Sequence, residues 1–187
     1  ASIALINFVS DLNHMGTSGL VAIETKGLDF TPIVTGSLYD PNLITTLPAN
    51  PVLASAKGAS GGGTANGNIT QTQSSPTNFS FNYTLADSDD FVYSQIGWGF
   101  FSGLTFVGTA QNLGTSLTFA VNGPNTRQLK VEVVDSTGKA ADFYLSLVGS
   151  LRNYTLTLTG NNIPAGFNTA SIALINFVSD LNHMGTS

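Results

Sequence analysis

Residues 1–18 and 170–187 are the same eighteen amino acids, ASIALINFVSDLNHMGTS, without one difference between the copies. Chance does not produce such an identity. Three origins remain: a window on an array of near-identical units, a natural duplication of one strand, or an engineered copy of it. The segment also dictates its own conformation. In SIALINFV, Ala4, Ile6 and Phe8 face one way and Ile3, Leu5 and Val9 the other, with Asn7 as the single polar interruption. The second copy repeats the pattern with Ile172, Leu174, Ile175, Phe177 and Val178. Successive side chains of a strand point to opposite faces, so a strand that is apolar on both faces is predicted for the interior of a sheet rather than its edge.

A fold has one place for such a strand. If 170–187 fill it at home, reached through the short GNNIPAGFNT connection, then Ala1–Ser18 are surplus. Their apolar side chains would stand in water at a cost of about 0.8 kcal/mol per exposed CH₂. The extra copy therefore belongs to a neighbour. It either completes the preceding unit of a tandem chain or is exchanged into the next subunit by strand addition.

The rest of the chain keeps the period of two. NFSFNYTL places Phe79, Phe81, Tyr83 and Leu85 on one face and Asn78, Ser80, Asn82 and Thr84 on the other. QLKVEVV, DFYLSLV and NYTLTLT alternate in the same way, with Leu129, Val131 and Val133, then Phe143, Leu145 and Leu147, then Tyr154, Leu156 and Leu158 inward. The DSTG turn at Asp135–Gly138 predicts an antiparallel hairpin between the first two of these runs. No stretch shows a capped 3.6-residue period, so helix is a minor component. Residues 40–51, with three prolines, read as an irregular connection, and 55–75, containing SGGGTANGN, as a flexible loop. Eight or more strands spaced by turns in 187 residues predict an all-β, two-sheet antiparallel sandwich.

Composition narrows the function classes. Charged residues are 9% of the chain and the net charge is −5, which argues against nucleic acid as a partner. There is no cysteine, hence neither a disulfide framework nor a zinc-ribbon spacing. No apolar run is long enough to span a membrane, and no signal peptide is evident. The Thr/Asn/Ser richness and the Asn-X-Ser/Thr triplets at Asn68, Asn78, Asn82 and Asn153 lean towards an extracellular or cell-surface protein.

The run LKVEVVDSTGKAADFYLSLVGSLRNYTLTLTGNNIPAGFNTASIALINFVSD resembles the C-terminal half of galactose-binding-like jelly rolls, in particular carbohydrate-binding modules of secreted glycoside hydrolases. FNYTLADSDDFVYSQIGWGFF is similar to the strand of those modules that leads into a Gly-aromatic step. The resemblance covers about half the unit. It implies a jelly-roll form of the sandwich and a closing strand that naturally follows GFNT. In those modules the closing strand runs on to a second, acid-containing strand, and the matching run here, VAIETKG, occurs only after the first copy. Residues 1–27 thus read as a closing strand pair shared with or belonging to a neighbouring unit, and 28–187 as a jelly-roll β-sandwich ending in the second copy. The ligand-contacting aromatics of the modules vary in position, and none is carried over.

Candidates for chemistry are few, and each has a structural alternative. Trp98 and Tyr93, with Phe91, Phe100 and Phe101 around them, would stack on the apolar face of a sugar, or else pack in the core. Asp87, Asp89 and Asp90 in LADSDDF would supply oxygen ligands to calcium, or else form a solvated turn. His14, repeated as His183, reads as a turn residue. One histidine per unit, no cysteine and no Gly-X-Ser-X-Gly elbow leave no triad or metal-hydrolase constellation to draw, so the expectation is a protein without catalysis or obligatory cofactor. The sequence predicts a repeat or subunit of an extracellular filament, stalk or surface array whose partners are copies of itself. Its alternative is a carbohydrate-binding module or adhesin domain with glycans as partners.

Overall fold

The computed structural model describes residues 31–59, 66–75, 77–86 and 90–184. Residues 1–27, expected as a closing strand pair with Ile3, Leu5, Ile6, Phe8 and Val9, lie outside the described residues, as do Asp87 and Asp89. The strands run in chain order as β1 (Ile33–Thr35), β2 (Ser37–Leu38), β3 (Val52–Ala59), β4 (Asn68–Ser75), β5 (Asn78–Thr84), β6 (Asp90–Gly97) and β7 (Gly99–Ser102). They continue as β8 (Thr105–Gly108), β9 (Ser116–Val121), β10 (Gln128–Asp135), β11 (Ala140–Ser146), β12 (Arg152–Thr157) and β13 (Ile172–Asp180). A single 3₁₀ turn, Pro41–Leu43, and the four-residue helix α1 (Leu181–Met184) are the helical elements among the described residues. None of these is long and apolar enough to cross a membrane.

Six strands form one sheet in the order β1-β11-β10-β13-β6-β3, and three form another in the order β2-β12-β9. Pairing is antiparallel throughout except where β1 runs parallel to β11. The predicted alternations become the inner faces of these sheets. Leu129, Val131 and Val133 of β10, Phe143 and Leu145 of β11, and Ile175 and Phe177 of β13 share one buried cluster with Leu117, Tyr154 and Leu156 of the smaller sheet. The described residues thus form an all-β, two-sheet antiparallel sandwich with little helix.

The β4–β5 hairpin adds to the second layer, its Phe79, Phe81 and Tyr83 packed against the same cluster. Gln71 of β4 ties it to the large sheet by donating from Nε2 to Ser94 Oγ of β6 and, at 3.3 Å, to the Ala54 carbonyl of β3. The β7–β8 hairpin covers the opposite face of the large sheet at one end, where Phe101 and Phe106 pack on Val134, Ala173 and Leu174. The DSTG turn joins β10 to β11 as expected, with Gly138 at φ +85° and its amide donating to the Asp135 carbonyl at 3.0 Å.

One sequence expectation is corrected. Much of 55–75 is not loop, because Val52–Ala59 and Asn68–Ser75 are strands. VLASAKGA lacks the large apolar residues that mark a strand because its partner supplies the bulk. Gly58 pairs with Phe91 of β6, and the phenyl ring lies where a Cβ on Gly58 would be. NITQTQSS in turn is read into a strand by its pairing with NFSFNYT, from Asn68 opposite Thr84 to Gln73 opposite Phe79.

Candidate assembly site

The second copy of the doubled segment is the interior strand β13. It is paired along both edges, from Lys130–Val178 to Val133–Ile175 against β10 and from Asp180–Phe91 to Leu174–Gly97 against β6. All but two of its nine residues are buried. The interior placement predicted for an apolar-on-both-faces strand is therefore realised by Ile172, Leu174, Ile175, Phe177 and Val178 in this chain's own sheet.

Phe177 is central to the packing. Its ring meets Phe79 of β5 edge-on at 5.6 Å and Phe119 of β9 at 5.4 Å and 87°, so the strand, the hairpin and the smaller sheet converge on one side chain. T-shaped pairs of this kind add about 0.5–1.5 kcal/mol to the area they bury.

Strict alternation fails at one end of the strand. The register against β10 shifts between Val134 and Asp135, so that Leu174 faces Val134 and Ile172 faces Asp135, leaving Ala173 as the extra residue of a bulge. Ile172 consequently joins the main core, while Ala173 sits with Leu174 in the outer cluster, the reverse of the faces predicted from period two. The bulge is fastened from outside by Gln111, which exchanges two backbone bonds of 2.7 Å with Ile172, and by the Trp98 amide, which donates to the Ala173 carbonyl at 3.1 Å.

The outer face of the strand carries Asn176. Asn176 donates from Nδ2 to Glu132 Oε2 at 3.2 Å, Glu132 Oε1 accepts from Lys130 Nζ at 2.7 Å, and Lys130 also reaches Asp142 Oδ2 at 3.1 Å. Burial opposes the charge on Lys130, but the hydrogen bond and field of Glu132, with those of Asp142, outweigh it and hold its pKa above the ordinary lysine value.

Past β13 the chain turns into α1, and here sequence reasoning missed residues that matter. Asp180 Oδ1 accepts from the His183 amide at 3.0 Å and from its Nδ1 at 2.7 Å. The imidazole stacks on Tyr144 of β11, with centroids 4.3 Å apart and planes at 22°. Met184 is buried in the main core, and the Tyr83 hydroxyl donates to its carbonyl at 2.8 Å. His183 is thus more than a turn residue. Tyr144, two strands over in the large sheet, and Tyr83, on the β4–β5 hairpin, left no local signal.

The other candidates are dispersed. Trp98 is 7% exposed and belongs to the main core, so its face is not offered to solvent. Tyr93 lies on the opposite face of β6 from buried Val92, Ser94 and Ile96, half-buried between Val178 and Ala56. Phe101 packs on Phe106, and Phe100 is exposed. Asp90 begins β6 opposite Ala59. No group of three or more metal-ligating side chains occurs among the described residues. Of the Asn-X-Ser/Thr triplets, Asn68, Asn78 and Asn82 are exposed on the β4–β5 hairpin, whereas Asn153 is buried with its amide donating to the Asp40 carbonyl at 2.7 Å.

No protein-family model matches the chain, and no curated protein matches it. A solved structure, the enzymatically active domain of bacteriophage CBA120 tailspike protein 4, is similar over 67% of this chain and 17% of its own, at 16% identity and a TM-score of 0.35. A likeness of that size carries no argument about fold or function, and the chain spans about a sixth of that structure's length.

Proposed function

We propose that this chain is a non-catalytic structural subunit of an extracellular filament, stalk or surface array, joined to copies of itself through the doubled strand. The observation that supports the reading is one of number. The sequence holds two identical copies of a strand, and the sheet has one interior place for it, filled by Ile172–Asp180. The ladder bonds and side-chain packing that hold β13 itself between β10 and β6 are equally available to Ala1–Ser18, because the two segments are the same. The copy in excess carries buried-type side chains that stabilise a sheet only where a place is open, in a preceding unit or a second chain.

The test disables the resident copy by a point substitution. Phe177→Asp places a carboxylate between the Phe79 and Phe119 rings. The vacated place is then filled by Ala1–Ser18 of a neighbour, and electron microscopy shows head-to-tail polymers. Removing residues 1–18 from the otherwise unchanged chain leaves it folded and abolishes assembly. A Phe177→Asp chain that stays unfolded and monomeric, or polymers of normal yield from the 1–18 deletion, would refute strand sharing.

A further inference from the structure

The place filled by the doubled segment does not end where the ladder ends. α1 is a single turn, too short to hold itself together in water, so its conformation comes from what it touches. Those contacts lie on the body of the sandwich: the Tyr144 ring under His183, the Tyr83 hydroxyl on the Met184 carbonyl, and the main core around the Met184 side chain. Asp180, the last ladder residue, orients the turn through the His183 amide and ring. Two tyrosines on two different layers, β11 and β5, therefore meet His183 and Met184, the third and fourth residues past the strand.

A slip of two residues keeps the inward side chains of a strand inward, so alternation alone leaves the register of an inserted strand ambiguous. A recognition point beyond the ladder removes that ambiguity, because a slipped or foreign strand cannot bring His and Met to the two tyrosines. We infer that Tyr144 and Tyr83 form a docking site for the His-Met end of an inserted segment. Its occupant in assembly is a second copy of this chain, which presents the same residues as His14 and Met15 after Asp11. The inference rests on the strand-sharing reading above and adds that the shared element is a strand with a latch rather than a strand alone.

The experiment compares full-length chains carrying Phe177→Asp, with and without His14→Ala and Met15→Ala. The critical concentration for polymer formation is read by light scattering. Loss of a buried Met and a stacked ring raises that concentration on the order of a hundredfold. In addition, His14→Ala has little further effect once Tyr144→Leu is present, because the two changes remove one contact. Polymers that form equally well with and without His14 and Met15 overturn the latch and leave strand sharing standing. A Phe177→Asp chain that never assembles overturns both.

Discussion

The Asp135 carboxylate at the end of β10 accepts the backbone amide of Asn168 at 3.0 Å, fastening the loop that delivers β13 to the strand β13 will pair with. Its other oxygen accepts from the Thr137 amide at 2.8 Å, the Thr137 hydroxyl at 2.7 Å and the Lys139 amide at 3.1 Å. Burial works to raise the carboxyl's pKa, but these four donors outweigh it and hold it below the ordinary aspartate value. With its folded pKa below the unfolded one, Asp135 stabilises the fold above about pH 4, and that contribution is lost as pH falls through the folded value. Asp135→Asn is expected to cost about 1–3 kcal/mol at neutral pH, since an amide cannot accept on both sides. In urea melts the gap between parent and variant narrows on acidification below about pH 4; a gap that stays constant from there to about pH 2 would show that the ionised form is not what the loop requires.

Phe177 and Phe8 are equivalent positions of the two copies. Phe8→Asp alone leaves thermal stability unchanged, because the resident copy is intact. Phe8→Asp with Phe177→Asp is far worse than either, since no intact copy remains for the interior place. Loss of Phe burial removes roughly 1.5–3 kcal/mol, and an unpaired buried carboxylate adds several more, against a total stability of about 5–15 kcal/mol. A cooperative melt from the double variant near the parent's temperature would contradict the packing described for Phe177.

Lys130 is held between Glu132 and Asp142, with its side chain 22% exposed. Lys130→Met leaves two neighbouring carboxylates without their cation and is expected to cost about 1–2 kcal/mol, discounted for partial exposure. The folded pKa of Lys130 is raised, so the stabilisation is fully present below the unfolded lysine value and is lost only as pH rises through the higher folded one. The parent–variant difference in denaturant melts is therefore flat from neutral pH to about pH 10. A difference that disappears by about pH 9 would mean that the pair is not what stabilises.

Gly58→Val drives a side chain into the Phe91 ring and is expected to cost about 1–3 kcal/mol, concentrated in the edge strand β3. Amide hydrogen exchange should speed up in Val52–Ala59 more than in β10 or β11. Phe91→Ala in the same chain should recover part of the loss. Unchanged exchange in β3 would mean that the strand is held without that contact.

Period two made β5, β10, β11, β12 and β13 legible, because each lies with one face on the core or, for β13, with both faces covered. β3 and β4 were hidden for a physical reason. A strand whose small residues are filled by a partner's ring carries its hydrophobic signal on the partner, here Phe91, and a hairpin half made of Asn, Thr and Gln is held by cross-strand pairing that composition does not reveal. The interior placement of the doubled strand followed from its apolar faces, yet the Ala173 bulge did not, since Gln111 and Trp98, whose backbone bonds fasten it, are distant in sequence. His183 and Met184 were illegible because Tyr144 and Tyr83 are distant in sequence and nothing local marks their meeting.

β13 is made after both strands it separates. Until it is seated, the large sheet is two detached pieces, β3 with β6 and β10 with β11 and β1, each with a raw edge turned towards the other. At about 5–20 residues per second, the forty-five positions from Asp135 to Asp180 take roughly two to nine seconds to synthesise. During that time Ala1–Ser18 is already outside the ribosome and its twin is not. Under the strand-sharing proposal, which copy closes the sheet is thus a race as well as an equilibrium. Under that proposal, a slow stretch of translation between β10 and β13 would favour the older segment of a polypeptide being made beside it.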